Sequence, residues 1–345
     1  MKVTKKIRVL IVDDSLLFRE ILAKEMSKDF GIEVVGTAEN PFVARDKILE
    51  LKPDVVTLDV EMPKMDGIEF LKKLMPQYPL PVIVVSSVEK NVLDALNAGA
   101  VDFVTKPDVK KQGGMGPFIN ELIIKIKIAS TAKVGGFKKD YEPAKIVSTR
   151  GLDVSDILIA IGASTGGTEA IYNIITTLPR DMPGILIVQH MPPVFTRLYA
   201  ERLNNSCKLE VKEAEDGDVL KPGRVLVAAG EYHMRLAKNA SGFYVKCQNG
   251  EKVSGHCPSV DVLFDSVAEV AKDKAVGVLL TGMGSDGAKG LLNMRKKGAY
   301  TIGQDEKTSI VYGMPMVAYN IGAVSKQLPL DKISQEICDY LSLKM

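Results

Sequence analysis

IAIGASTGGTEAI, Ile159 to Ile171, carries an apolar run into a turn of small residues and out again into what reads as the start of a helix. Two chemistries fit such a turn. In one, Gly162 and Gly166 let the chain bend sharply and expose Ser164 as a nucleophile, the GxSxG arrangement. In the other, the loop cradles a phosphate on its N–H groups. As a phosphate loop it is incomplete, because the GxGxxG spacing is not fulfilled and no lysine follows the glycines. A GxSxG match this short also arises from glycines that serve only the backbone, so the rest of the chain has to decide.

A serine nucleophile needs a base to take its proton and a group that orients the base. The chain has three histidines. His190 follows ILIVQ at the end of the next predicted strand, which in a parallel sheet sets it beside Ser164 at the carboxyl edge. His233, in EYHMRL, and His256, in SGHCPS, fall on less regular segments. Asp286, in the strand-to-turn sequence LLTGMGSDGAKG, is the candidate orienting acid; its alternative use is to cap the helix AKGLLNMRKKG. Met283 and Gly284 line the approach to Asp286. Backbone N–H groups after Ser164, from Thr165 onward, are the candidate oxyanion hole, each good donor contributing about 3 kcal/mol. In GHCPSVD, His256, Ser259 and Asp261 read either as groove-lining residues or as a turn and helix cap. The chain order Ser, His, Asp differs from the orders of α/β-hydrolases, chymotrypsin-like enzymes and subtilisins.

Around this stretch, apolar runs alternate with amphipathic segments. ILIAIGAS, GILIVQH, GRVLVAAG, AVGVLLTG and YTIGQD read as buried strands, with helices TEAIYNIITTL, VFTRLYAERLN, SVDVLFDSVAEVAKD and AKGLLNMRKKG between them. GFYVKCQNGEKV alternates like an antiparallel hairpin. The N-terminal third repeats the pattern in five β/α units, from IRVLIV to PFINELIIKIKI, and runs such as Val82 to Val85 suit a parallel sheet covered on both faces. The expected fold is therefore α/β throughout: a doubly wound flavodoxin-like domain over 1–127, a linker of glycine, lysine and serine over 128–154, and a second mainly parallel domain over 155–345. A length of 345 residues suits two such domains.

Composition narrows the function classes. Hydrophobic content of 46% and charged content of 26% are those of a soluble protein. The basic start MKVTKKIRVLIVDDS breaks into two aspartates after a short apolar run, unlike a secretory signal, so a cytoplasmic location is expected. Cys207, Cys247, Cys257 and Cys338 show no CxxC spacing and suit free thiols in a reducing compartment. With a net charge of +2 and no long basic block, nucleic acid is not an expected partner.

In the first domain Asp13 and Asp14 end the first strand and Asp59 ends the third, so three acids converge on one crevice of a doubly wound sheet. Such crowding calls for a cation, and oxygen ligands with room for water suit Mg²⁺. Ser86 ends the fourth strand and Lys106 follows the fifth. DDS, LDVEMPKMDG, SS and TKP, in this order at strand ends, resemble the receiver domains of two-component response regulators over residues 5 to 127. The resemblance implies that Asp59 is the phosphoacceptor, that Asp13, Asp14, Asp59 and the Glu61 carbonyl hold Mg²⁺, and that Ser86, Phe103 and Lys106 form the switch, with a cis bond before Pro107. A simple core phenylalanine is the other reading of Phe103.

IGASTGG, QHMP, GHCPSVD and LLTGMGSDGA, following a receiver and a linker, resemble the chemotaxis protein-glutamate methylesterases, the CheB family. This resemblance implies hydrolysis of glutamyl methyl esters on the cytoplasmic helices of chemoreceptors, deamidation of receptor glutamines, a histidine kinase as phosphodonor, Mg²⁺ in the receiver and no cofactor for the ester reaction. It implies contact with the membrane only through the receptors. A response regulator whose second domain binds a nucleotide or protein through GASTGG, with no catalysis, is the competing reading.

Overall fold

The computed structural model describes residues 5–63, 65–107, 114–135, 154 and 156–344. The chain divides into two compact units, residues 1–139 and 140–345. The expected linker, 128–154, lies largely outside the described residues, although its first two residues complete a helix.

In the first unit the strands are β1 (Ile7–Val12), β2 (Ile32–Ala38), β3 (Val55–Asp59), β4 (Val82–Ser86) and β5 (Asp102–Thr105), and the helices are α1 (Leu16–Met26), α2 (Pro41–Leu51), α3 (Gly67–Leu74), α4 (Glu89–Asn97) and α5 (Met115–Ala129). The sheet is parallel in the order β2-β1-β3-β4-β5. β3 and β4 are buried along their whole length, as strands covered on both faces must be. Helix starts follow the local chemistry. Ser15, Asn40 and Asp66 cap α1, α2 and α3 by accepting backbone N–H bonds. The order β2-β1-β3 places the ends of β1 and β3 side by side, and with them Asp13 and Asp59.

The second unit has strands β6 (Leu158–Ala163), β7 (Gly184–Gln189), β8 (Glu210–Glu213), β9 (Arg224–Val227), β10 (Tyr232–Asn239), β11 (Gly242–Asn249), β12 (Ala275–Leu279), β13 (Tyr300–Gln304) and β14 (Lys326–Leu328). Its helices are α6 (Gly167–Thr177), α7 (Phe195–Ser206), α8 (Val260–Val270), α9 (Ala288–Lys296), α10 (Met314–Asn320) and α11 (Leu330–Lys344). Seven strands form a parallel sheet in the order β14-β13-β12-β6-β7-β9-β8, and β10 and β11 form a separate antiparallel hairpin. The hairpin anticipated from GFYVKCQNGEKV therefore begins earlier, at Tyr232, and His233 is a buried residue of a regular strand.

The core of this unit is built from Leu158, Leu186, Val188, Val260, Phe264, Leu279 and their neighbours. β6, β7 and β12 are buried throughout and lie at the centre of the sheet. Strand order brings β12, β6 and β7 together although β12 lies more than a hundred residues after β6. Their carboxyl ends lead to Asp286, Ser164 and His190 respectively. All four cysteines are free. No helix among the described residues is long and apolar enough to cross a membrane.

Candidate active site and phosphoacceptor site

The turn between β6 and α6 answers what its glycines are for. Gly166 has φ +76°, a left-handed conformation that side chains rarely adopt, and an added Cβ would lie 2.5 Å from Ile310. At Gly167 an added Cβ would fall 2.2 Å from the Gln189 carboxamide oxygen, and at Gly162 2.2 Å from Val260. Protein side chains thus fill the space beside these glycines where a Cβ would lie. The glycines permit close packing and a sharp bend, as a nucleophile turn requires.

Ser164 stands where the strand ends. Its N–H donates to the Thr281 carbonyl at 3.0 Å, and its carbonyl accepts the Gly167 N–H at 2.7 Å. The buried Gln189 side chain bridges neighbouring turns, donating through Nε2 to the Ser164 carbonyl at 2.9 Å and to the His190 carbonyl at 3.3 Å. Thr281 ties the turn from the other side. Its hydroxyl reaches the Thr165 carbonyl at 3.0 Å and accepts the Val311 N–H at 3.0 Å.

His190 Nε2 lies 2.8 Å from Asp286 Oδ2. Nδ1 is buried without a hydrogen-bond partner, so no hydrogen bond joins His190 to Ser164 in this structure. Such bonds often close only when substrate is bound. Asp286 is 2% exposed and accepts three further donors: the Ser259 hydroxyl (2.7 Å), the Val260 N–H (2.8 Å) and the Asp261 N–H (3.0 Å). The last two are the first N–H groups of α8, whose positive end favours a carboxylate. Burial alone would raise the Asp286 carboxyl, but the bonds from His190, Asp261 and Ser259 outweigh it and hold it below the usual carboxylate range.

These contacts also place the other candidates. Asp286 does not cap the helix that follows it, since Gly287 occupies that position. Ser259 and Asp261 are buried and do not line a groove. Ser259 caps α8 as well as holding Asp286, and Asp261 accepts the Gly290 N–H at 2.8 Å. His233 receives the Ser259 N–H at 3.3 Å through Nδ1, and its Nε2 lies 2.9 Å from the Glu251 carbonyl. It is a structural histidine. His256 is stacked on His190 with ring centres 3.6 Å apart. Thr165 is buried, and Met283 is 39% exposed beside Gly284 at φ +89°. The roles of Gln189, Thr281 and the α8 start escape a search for conventional triad residues; the signals were the adjacency of Gln189 to His190 and the serine in CPSVD.

In the first unit, Asp13 and Asp59 are buried and Asp14 is exposed, with one carboxylate oxygen of each within 4.8 Å of the others. The Lys106 ammonium lies 2.6 Å from Asp59 Oδ2 and 2.7 Å from Asp13 Oδ2. Asp59 Oδ1 accepts the Glu61 N–H at 3.0 Å. Burial, with a contribution from Asp13, pushes the Asp59 carboxyl up to about 6 against the opposing effect of Lys106. Burial also works against the Lys106 charge, but its two carboxylate partners prevail and hold the ammonium above its usual value. Three carboxylates with oxygens this close together fit a divalent cation, which would be held by Asp13, Asp14 and Asp59.

Ser86 is buried, and its hydroxyl exchanges bonds with the Val88 backbone at 3.0 and 3.2 Å. Phe103 is also buried, with the Lys125 ammonium 4.9 Å from its ring centre. The cis peptide bond among the described residues is Cys257–Pro258, so the bond before Pro107 is not the cis bond expected. The two isomers of an X–Pro bond differ by only about 0.5–1 kcal/mol, which sequence alone does not resolve.

A flavodoxin-like unit with strand-end aspartates around one lysine, followed by a parallel α/β unit with a serine, a histidine and an aspartate at the ends of its central strands, defines a response regulator with a hydrolase output. Residues 9–112 match the response regulator receiver domain and residues 159–337 match CheB methylesterase. The chain belongs to the CheB methylesterase family. It is 59% identical over 96% of its length to a protein-glutamate methylesterase/protein-glutamine glutaminase 2 of Syntrophomonas wolfei, covering 97% of that protein. It is 48% identical over 98% of its length to the protein-glutamate methylesterase/protein-glutamine glutaminase of Salmonella typhimurium, covering 97% of that chain. Among solved structures, the CheB methylesterase catalytic domain of Thermotoga maritima matches 53% of this chain and 98% of its own at 38% identity, with a TM-score of 0.52.

Proposed function

We propose that the protein is a phosphorylation-regulated esterase of chemotaxis adaptation, removing methyl groups from glutamate side chains of chemoreceptors and deamidating receptor glutamines, with Ser164 as nucleophile, His190 as base and Asp286 as the acid that orients it. The observation that carries the reading is the His190–Asp286 contact at the edge that also bears Ser164. With Asp286 accepting Nε2–H, the lone pair of the imidazole is on Nδ1, the atom left without a partner. Nδ1 takes the Ser164 proton as the hydroxyl attacks the ester carbonyl. N–H groups of the turn after Ser164, together with the Met283–Gly284 loop, receive the oxyanion. Collapse of the tetrahedral intermediate returns the proton to the leaving methoxide, which departs as methanol, and a water activated by Nδ1 then cleaves the glutamyl-serine ester. With a glutamine side chain the same steps release ammonia. Methanol release from methylated receptor membranes tests the reading, and its absence would favour a binding module.

The domain limits proposed for this activity are 1–127 for the receiver and 155–345 for the esterase. The location is cytoplasmic, with a histidine kinase as donor and receptors as the route to the membrane. Asp13, Asp14, Asp59 and the Glu61 carbonyl would hold Mg²⁺, which would supply shielding for the charge of an incoming phosphoryl group. This chain's own residues complete the switch. Lys106 is already beside Asp59, while the Ser86 hydroxyl has to leave Val88 to reach a phosphate oxygen, which biases two states of the surface carrying Phe103. Asp59→Asn is expected to abolish acid-stable labelling by a small phosphodonor and, with it, any donor-dependent rise in methanol release. Labelling at the wild-type level would reassign the phosphoacceptor.

Cation binding has its own signature. Because the folded Asp59 carboxyl lies at about 6, above its unfolded value, its contribution to receiver stability is complete below about pH 4 and is lost as pH rises through about 6. A cation that favours the ionised carboxylate reverses the loss. Mg²⁺ is therefore expected to raise the receiver's calorimetric transition by several degrees near pH 7, and hardly at all near pH 5. Asp13→Asn should remove most of the gain. Equal gains at both pH values would contradict the assignment.

A further inference from the structure

We propose that His256 is a positioning residue for the base, its imidazole stacked on His190 so that the plane of that ring is fixed while Asp286 fixes its edge. The proposal rests on the esterase reading above. The two rings are 3.6 Å apart between centres and inclined by only 10°. A single hydrogen bond through Nε2 leaves the His190 ring free to swing about that contact. A flat partner against one face removes this freedom and keeps Nδ1 directed to one side.

The chain around His256 is built to hold it. Val253 and His256 exchange both backbone hydrogen bonds, each of 3.0 Å, across Ser254 at φ 53° and Gly255 at φ 86°. Two consecutive positive φ values make the tight hairpin turn that best resists splaying. The same segment continues into Ser259, Val260 and Asp261, the donors that grip Asp286. One continuous stretch therefore fixes the base from its face and the orienting acid from its far side.

His256 does not itself act as an acid or base in the neutral range. The charged and titratable groups near it are His190, Asp286 and Lys252. Burial first, then His190 and Lys252, push its imidazole down to about 4 against the opposing pull of Asp286. It remains a neutral flat ring stacked on one face of His190.

The test compares His256→Ala, His256→Leu and His256→Phe in the full-length protein, using methanol release from methylated receptor membranes across pH. His256→Ala is expected to lower kcat by roughly tenfold to a hundredfold with KM unchanged. His256→Phe keeps a flat ring and should stay within a few-fold of wild type. His256→Leu fills the space without the flat face and should behave like His256→Ala. A His256→Ala profile superimposable on wild type, or rescue by Leu equal to that by Phe, would overturn the proposal. The Phe and Leu comparison stands even if the Ala variant does not fold. Absence of methanol from the wild-type control would identify failure of the esterase reading itself, and this proposal would fall with it.

Discussion

Ser164→Ala in the full-length protein is expected to lower methanol release from methylated receptor membranes by at least about 10⁴-fold, with the stability of the second unit changed by no more than about 0.5 kcal/mol. The two halves of this expectation come from different atoms of one residue. The turn is held by the Ser164 main chain, through Thr281, Gly167 and Gln189. None of those bonds uses the hydroxyl, so alanine retains the bend, the packing of Gly162 and Gly166 and the position of His190. What disappears is the oxygen that forms the glutamyl ester, and water in its place would lack the pre-set position that the turn supplies. Thermal unfolding and methanol release measured on the same preparation separate the effects. Retained activity would return the turn to the category of backbone glycines and leave Ser164 without a chemical role. Loss of activity with a large loss of stability would mean that the variant had broken the turn.

The reach of the sequence is clearest at these strand ends. Ser164 and His190 were legible because each directly follows a long apolar run in a parallel α/β pattern, where position along the chain fixes position at the sheet edge. Asp13, Asp59, Ser86 and Lys106 were legible for the same reason. Less visible was why Asp286, far along the chain, meets His190. That depends on β12 pairing with β6, a non-local choice that no local pattern encodes. The edge strands β8 and β14 and the helices α10 and α11 also escaped the reading, because they are short or carry polar residues on much of their surface. For Ser259 and Asp261 the sequence leaves groove lining and a turn with a helix cap both open, and the structure selects the cap for Ser259. Only the fold shows that their donors turn inward to a buried carboxylate. The cis bond expected before Pro107 fails for a related reason, since tertiary context decides between two isomers of nearly equal energy.

Asp286→Asn is expected to lower kcat by about 10⁴-fold near neutral pH, the effect of leaving a triad histidine in the wrong tautomer. Both carboxylate oxygens of Asp286 face donors: Ser259 and Asp261 on Oδ1, Val260 and His190 on Oδ2. An asparagine can present an oxygen to only one of these pairs. Its amide would place N–H groups against the Val260 N–H and His190 Nε2, or, when flipped, against the Ser259 and Asp261 donors. The first arrangement forces His190 to accept at Nε2 and carry its proton on Nδ1, so the base is lost. Either arrangement leaves a buried donor without an acceptor, at a cost of about 1–3 kcal/mol in stability. The pH dependence has a definite sign. The Asp286 carboxyl is held low in the folded protein, so its contribution is present above the unfolded carboxylate value of about 4 and is lost as pH falls through the lower, folded value. The stability gap between wild type and Asp286→Asn should therefore narrow in acid. Ser259→Ala serves as the control for a purely structural role, since it removes one donor to the same carboxylate and leaves the Nε2 contact in place. It should cost comparable stability but far less kcat. Equal losses of kcat in the two variants would make Asp286 a cap for α8 and leave His190 oriented by its stacking partner alone.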